Sequence, residues 1–200
     1  MAQPTNTFDT YDSVGEREDL SDVIYSISPT DTPFISSAAK TKATAVLHEW
    51  QTDALAAAVT NNAVIEGDEA TLDAVSPTTR LSNSSQIMDK TVVITGTQES
   101  VDKAGRASEL AYQIAKKAKE LKRDMEATVT GNIAEETGGS GTARKMGTLG
   151  SWIATNDVFG SGGASGSIGN TARTDGTQRA FTEAQLKSVI KSVWNEGGEP

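Results

Sequence analysis

The amino-acid sequence predicts an α+β fold in which one long helix and extended arms take the place of a large compact core. Residues 107–136 carry apolar side chains at steps of three and four residues, which is helical spacing. The sequence before them is polar, with short β-forming segments. Apolar residues make up 36% of the chain and aromatic residues 5%, which is low for a compact enzyme. This combination favours a protein that completes its burial on neighbours, although a soluble domain with flexible loops fits the composition equally well.

Residues 1–18 carry no periodic apolar pattern and are predicted to form an extended arm. Residues 19–27 have the apolar spacing of two helical turns. Ser28 and Pro29 should end these turns, because a residue before proline avoids the α-helical region. Phe34 follows a second proline and gives the arm an apolar anchor.

Residues 44–96 are predicted to form an extended β-arm that returns near its origin. Residues 44–51 are rich in β-formers and predict one strand. The strongest strand pattern lies at residues 85–95. Gly67 and the acids around it predict a solvated turn between the strands. Residues 97–104 are expected to add a helical turn.

The helix predicted at residues 107–136 would be roughly 45 Å long at 1.5 Å per residue. An ordinary helix has about 11–12 residues, so this one is long for the chain. Residues 116–126 mix five bases with three acids, which predicts ion pairs with a neighbour or, alternatively, an exposed helix face. The apolar stripe of the helix consists of Leu110, Ile114, Ala118, Leu121, Met125, Val129 and Ile133.

The sequence after the long helix is rich in glycine. Residues 137–141 predict a flexible break, and the glycine and serine run at residues 160–169 predicts a segment with no packing content. Trp152 lies between them and is expected to be buried.

A second helix is predicted from residue 182 onward. Thr182 suits the N-cap position, and Glu183 in the first turn suits the positive end of the helix dipole. Its apolar stripe consists of Leu186, Val189, Ile190 and Val193.

The net charge of −9 is concentrated in the N-terminal part of the chain. Residues 1–75 carry 13 acids and 3 bases, whereas residues 76–200 carry 14 acids and 15 bases. The acidic part could lie against a neutral or basic surface of a neighbour, or simply aid solubility. An acidic chain without clustered bases does not suit sequence-specific nucleic-acid binding. With no apolar run of 18 residues and no secretory signal, we expect synthesis in a cytoplasm and no membrane partner.

The sequence lacks the patterns on which common catalytic and cofactor sites depend. No phosphate loop, dinucleotide fingerprint or serine nucleophile elbow has the required spacing. There is no cysteine, and His48 is the only histidine, lying in a predicted strand beside Trp50. The acids Glu66, Asp68 and Glu69 lack the order of a calcium loop. We therefore expect no enzyme activity, no catalytic or metal-binding residues and no cofactor.

Short runs in several parts of the chain match one known family in order and wording. They are TFDTYD at 7–12, REDL at 17–20, SPTDTPF at 28–34, HEWQTDAL at 48–55, TGTQE at 95–99, ELAYQ at 109–113, ELKRDME at 120–126 and WIATN at 152–156. Over most of residues 7–156 the chain thereby resembles tailed-phage major capsid proteins of the SU10 group. The likeness weakens through the glycine-rich run and returns modestly at residues 181–194.

The resemblance implies an HK97-like capsid fold. On that pattern residues 1–42 are the N-arm, and residues 43–104 contain the β-hairpin E-loop. Residues 105–200 begin the peripheral domain, with a spine helix at residues 107–136 and the start of the remaining shell domains. Because the family is longer, the resemblance also implies that this chain is truncated, either as a fragment or as a shortened relative.

The resemblance implies a structural subunit of an icosahedral double-stranded DNA phage head. Its arms would overlap in pentamers and hexamers of the same protein, and the shell would enclose DNA without reading its sequence. Portal, minor and decoration proteins are further partners that the resemblance allows, and the location is the virion after synthesis in the host cytoplasm. The alternatives are a non-viral nanocompartment of the same fold, which nearby cargo genes would favour, and a small carboxylate-based hydrolase, which a deep acidic pocket would favour.

Apolar side chains on the arms and on the helix are the predicted contact residues. The intersubunit set is Phe8, Tyr11, Phe34, Ile35, Ile65, Leu81, Ile87 and Met88. The set predicted to pack the spine helix against its own subunit's sheet is Leu110, Ile114, Leu121, Met125 and Val129.

Overall fold

The computed structural model describes residues 6–200 with the exception of residues 8, 15, 17 and 20. The chain divides into two compact units, of which the first comprises Met1–Thr30 and Lys90–Glu120 and the second comprises Asp31–Asp89 and Leu121–Pro200. The elements in chain order are α1 (Pro33–Ser37), β1 (Leu47–Thr52), β2 (Thr79–Ser84), α2 (Gly96–Ser100), α3 (Glu109–Val129), α4 (Leu149–Trp152) and α5 (Glu183–Asn195). This mixture of helices and a strand pair confirms the α+β class. Of the helices described, none is long and apolar enough to cross a membrane.

The predicted helical turns at residues 19–27 are wrong, since the described residues of this segment are not helical. Asp22 instead turns its side chain to Gly105, whose backbone N–H donates to Asp22 Oδ1 over 3.2 Å. Asp22 thereby gains a partner distant in sequence, which local apolar spacing could not reveal. In the same unit, the helical turn predicted at residues 97–104 is present as α2, with Thr95 as its N-cap.

The predicted long helix is present as α3, but it has 21 residues and ends at Val129 rather than at residue 136. Gly131 follows the helix closely, and a side chain there would come within 3.1 Å of the carbonyl oxygens of Ala127 and Thr128. The chain then leaves the helical path, because the backbone N–H of Ile133 donates to Thr148 Oγ1 over 2.7 Å. Ile133 therefore lies outside the helix and matches the helical spacing of the apolar residues by coincidence.

The two strands form an antiparallel pair in which Leu47 lies opposite Ser84 and Thr52 lies opposite Thr79. The strand predicted at residues 44–51 is confirmed with its start shifted by three residues. The strand predicted at residues 85–95 is wrong, because the partner strand lies just before it. The β-forming side chains of residues 91–95 lack a partner strand, and β-propensity without a partner does not make a sheet.

The glycine-rich segments are ordered, which contradicts both predictions made for them. Residues 137–141 belong to a tight hairpin in which Gly139 pairs with Thr142 and Glu136 with Lys145. In the run at residues 160–169, backbone packs directly on backbone, and a Cβ on Gly166 would lie 2.5 Å from the carbonyl oxygen of Ser151. Glycine here marks close approach of two chain segments rather than flexibility.

The second predicted helix is confirmed as α5, and Thr182 is its N-cap. The backbone N–H of Thr182 donates to Gln185 Oε1 over 3.1 Å, which is half of a capping box. Glu183 occupies the first turn as expected and pairs with Lys187 over 2.7 Å. The predicted stripe is only partly covered in this chain, since Leu186 is 47% and Ile190 43% exposed.

Candidate functional site

The surface that the chain leaves uncovered is its most unusual property. Its accessible surface is 16,737 Å², whereas a compact monomer of 21.0 kDa has about 9,000 Å². Among the described residues no apolar side chain is buried. The buried side chains among the described residues are polar and belong to Thr32, Ser84, Glu109, Thr148 and Ser151; the other buried positions are glycines. Apolar burial within the described chain is therefore incomplete, and the candidate site is a set of surfaces rather than a pocket.

The first surface is the loop at residues 53–78, which joins β1 to β2. All of these residues are described, all are exposed, and they form neither helix nor strand. The loop contains five acids and no base. Its apolar side chains point into solvent, with Leu55 and Leu72 both 99% exposed and Ile65 78% exposed. The loop therefore combines negative charge with solvent-exposed apolar side chains.

The remaining predicted contacts of the β-arm lie in or beyond β2. Leu81 and Met88 are half-buried, whereas Ile87 is 81% exposed. Ile87 lines a cavity of about 320 Å³ beside the hairpin at residues 137–144. The structure thus separates the four predicted β-arm residues into two half-buried and two exposed ones, and their intersubunit role stays a prediction.

The N-arm contributes contacts in each unit. In the first unit, residues 24–28 and Tyr112 line a cleft of about 390 Å³. In the second unit, Phe34 and Ile35 lie beside Met125 on α3. The structure therefore brings Phe34 and Ile35 together with the helix of their own chain. Tyr11 is 95% exposed, and Phe8 lies outside the described residues.

The predicted packing stripe of α3 is mostly uncovered within this chain. Leu110, Ile114 and Met125 are 44%, 54% and 39% exposed, whereas Leu121 and Val129 are half-buried. Packing of this stripe against the subunit's own sheet stays a prediction.

The start of α3 is fixed by polar contacts that sequence reasoning missed. Glu99 Oε2 accepts hydrogen bonds from the backbone N–H groups of Glu109 and Leu110 over 3.0 and 3.1 Å. The Ser108 hydroxyl and these N–H groups hold the pKa of the Glu99 carboxyl below its ordinary value. A carboxyl whose pKa is lowered on folding stabilises the folded state at pH values above its unfolded pKa. This stabilisation is lost as the pH falls through the pKa of the folded state. The signal in sequence was a carboxylate shortly before a long helix, which suits a helix N-terminus.

Glu109 itself is buried at the first position of α3. Its carboxylate accepts from Gln113 Nε2 over 2.7 Å and from Arg106 Nε. These hydrogen bonds, with the Gln113 bond the larger cause, lower the pKa of Glu109. A buried carboxylate held by two side-chain donors helps to orient the start of the helix.

The aromatic side chains on β1 form a stack with α4. The rings of His48 and Trp50 are 5.8 Å apart, and those of Trp50 and Trp152 are 5.2 Å apart. Trp152 is half-buried and donates from Nε1 to the carbonyl oxygen of Gly147 over 3.1 Å. The single histidine thus lies on β1 beside Trp50, and its side chain is exposed. Within the part of the chain that the structure describes, no three potential metal ligands lie together.

In the second unit, two asparagine side chains hydrogen-bond to the backbone of a segment distant in sequence, as a neighbouring strand would. Asn83 donates from Nδ2 to the Gly147 carbonyl over 3.0 Å and accepts from the Gly147 N–H over 2.8 Å. Asn132 makes the same reciprocal pair with Arg173, over 2.8 and 2.9 Å. Both amides therefore act as a backbone-like donor and acceptor. The sequence offered a signal for Asn83 only, since it lies in the predicted β-arm and asparagine is unfavourable in strands.

Asn83→Asp is expected to destabilise the fold by about 0.5–1.5 kcal/mol, because a carboxylate cannot donate to the Gly147 carbonyl, which then keeps its hydrogen bond from Trp152 Nε1 but loses the one from residue 83. The measurement is the free energy of unfolding in urea. Asn61→Asp is the matched control, since Asn61 lies in the exposed loop. Equal stability of the two variants would contradict the role given to Asn83.

Comparison with known proteins connects these surfaces to a family. The profile of the SU10 major capsid protein family matches residues 3–200. A curated relative, the major capsid protein of Escherichia phage Phieco32, is 42% identical over 126 residues, which cover 63% of this chain and 36% of the relative. The match thus spans about a third of that relative's length. A family of structural shell proteins also agrees with the expectation that this chain is not an enzyme. Since the match extends over nearly all of the sequence, the chain belongs to the SU10 major capsid protein family.

Proposed function

We propose that this chain is part of a structural subunit of a double-stranded DNA phage head, which assembles through the overlap of its arms. The observation that carries the proposal is the amount of uncovered apolar surface in a chain of a capsid family. The phage relative favours a viral head over a non-viral compartment. The partners proposed first are copies of the same protein in pentamers and hexamers; portal and decoration proteins are secondary.

The loop at residues 53–78 is proposed to act as an E-loop that lies across a neighbouring subunit. Its position as the connection of an antiparallel pair supports this assignment. Burying a side chain such as Leu55 or Leu72 on a neighbour would contribute about 1.5–3 kcal/mol. Many such contacts, repeated by symmetry, would stabilise a closed shell although each one is weak.

The helix α3 is proposed to be the spine of the peripheral domain. It is the longest of the described helices, and its exposed apolar stripe offers a surface for further parts of the subunit. The N-arm segment at residues 33–37 already lies beside it, which supports a spine that organises the arm. The proposed subunit is thus an HK97-like one, with α3 as its spine and residues 1–42 as its N-arm.

Charge is proposed to assist the overlap. Residues 1–75 carry a charge of −10, and the loop at residues 53–78 carries five of these acids. Residues 116–123 carry five bases on α3, of which Lys117 pairs with Glu120 of the same helix over 2.6 Å. An acidic arm and a partly basic helix face are complementary in sign between copies.

Assembly of the whole protein is therefore expected to weaken as salt rises, because ions screen exposed charges beyond about 8 Å at physiological ionic strength. Negative-stain microscopy and light scattering across a salt series would measure the fraction of closed shells. A variant with Asp68 and Glu69 changed to Asn and Gln should show a smaller salt response. Unchanged assembly between low and high salt would count against the electrostatic part of the proposal.

A further inference from the structure

One carboxylate of α3 binds two successive backbone N–H groups of the N-arm. Glu126 Oε1 accepts from the N–H of Phe34, and Oε2 accepts from the N–H of Ile35, both over 2.8 Å. One helical turn earlier, Lys122 Nζ donates to Ser36 Oγ over 3.2 Å. Residues four apart lie on the same face of a helix, so both side chains reach α1 from one side.

The segment that Glu126 holds has little else to keep it helical. The helix α1 has five residues, none of which is buried. A helix this short is not stable in water by itself. Thr32 occupies its N-cap position but makes no side-chain cap hydrogen bond. The first N–H groups of a helix lack partners within it, and two of those in α1 are bound by Glu126 instead.

Apolar contact alone does not account for the position of α1. Phe34 remains 38% exposed, and Ile35 is only half-buried. Between α1 and α3 lies an open cleft of about 500 Å³, which is lined by Phe34, Ile35, Ala38, Ala39, Lys40, Lys122, Met125 and Val129. One wall of this cleft consists of α1, so whatever fixes α1 also decides whether the cleft exists.

We propose that Glu126 is the positioning residue that clasps residues 33–37 to α3 and thereby forms the apolar cleft beside Met125 and Val129. The clasp depends on charge and geometry rather than on burial, since hydrogen bonds to a carboxylate are stronger than those between neutral groups. It can therefore open without removing apolar side chains from a core. The inference concerns the subunit by itself and does not depend on the proposed function.

The test is hydrogen exchange at the amides of Phe34 and Ile35 in the unassembled whole protein. In Glu126→Ala both amides lose their acceptor and should exchange about 10- to 100-fold faster, the range that loss of a hydrogen bond to a charged group implies. In Glu126→Gln the side chain keeps one carbonyl oxygen, whereas its NH₂ group cannot accept. One of the two amides should therefore stay protected in the Gln variant while the other exchanges faster.

Glu120→Gln is the matched control, because it removes the same charge from the same helix and should leave both amides unchanged. The amides of β1 and β2 report that the remainder of the unit is still folded. Unaltered exchange at both amides in Glu126→Ala would overturn the proposal. The proposal would also be overturned if Glu126→Gln accelerated amide exchange in α3 and the strands as much as in α1. Glu126 would then support the whole unit rather than the arm segment.

Discussion

Replacing Gly166 with alanine is expected to lower the free energy of unfolding of the second unit by about 3 kcal/mol, at the upper end of the range for overpacking. A Cβ at this position would lie 2.5 Å from the carbonyl oxygen of Ser151 and 2.8 Å from its Cα. Both of these are backbone atoms, which cannot rotate away as a flexible side chain could. The strain must therefore move one of the two chain segments.

The surroundings of Gly166 leave little room for such a movement. Ser151 is fully buried, and its hydroxyl donates to the Thr148 carbonyl over 2.8 Å. The N–H of Gly166 donates to the Ile153 carbonyl over 3.2 Å, and that of Gly169 donates to the Ser151 carbonyl over 3.0 Å. Shifting residue 166 outward would stretch these hydrogen bonds together.

The measurement is urea unfolding followed by tryptophan fluorescence, for which Trp152 is a reporter next to the site. Gly141→Ala is the control, because nothing lies within 4 Å of its Cβ and its backbone needs no positive φ. That control should stay within about 0.5 kcal/mol of the wild type, as surface changes usually do. If Gly166→Ala were as stable as Gly141→Ala, the close packing assigned to the glycine run would be wrong.

The sequence predicted those elements whose determinants are local. The helix α5 follows from Thr182, Gln185 and a run of helix formers, all within a few residues of one another. The first part of α3 and the strand β1 likewise depend on spacing and β-propensity close in sequence. The family resemblance, confirmed by the match over residues 3–200, came from short motifs that need no structure.

The failures lie where the partner is far away in sequence. Residues 19–27 have helical spacing, yet Asp22 meets Gly105. Residues 85–95 have strong β-propensity, yet the strand that pairs with β1 is β2, which ends at Ser84. Beyond β2, Gln86 Oε1 accepts a hydrogen bond from the Met146 N–H. The glycine run was misjudged because composition cannot distinguish a flexible glycine from one that allows two backbones to touch. The contact surfaces could be predicted only in part from the sequence, since the exposure of a side chain in one chain does not identify the neighbour that covers that side chain.

Deleting residues 1–35 from the whole protein is expected to abolish closed shells while leaving soluble subunits. The deletion removes the arm with its apolar side chains, among them Tyr11, Ile24, Phe34 and Ile35. Each side chain that is fully buried on a neighbour would contribute about 1.5–3 kcal/mol, and the loss recurs at every copy of the contact. A shell built from many weak contacts cannot tolerate such a loss at all of them.

The second unit should keep its fold, because the strand pair, the part of α3 after Glu120 and the contacts among Asn83, Gly147 and Trp152 lie outside the deleted residues. Circular dichroism should show nearly the same helix signal, since only the short α1 is lost, and size-exclusion chromatography with negative-stain microscopy would count the shells. The deletion could block assembly by removing apolar side chains or by removing a correctly positioned arm, and Glu126→Ala distinguishes these two causes. This variant releases α1 from α3 but keeps every apolar side chain of the arm. Shells that form with Glu126→Ala and fail with the deletion would assign assembly to burial of the arm, whereas failure in both would assign it to the position of the arm. Normal shells from the deletion would refute the role of the arm altogether, and burial would then have to come from the loop at residues 53–78 and the stripe of α3.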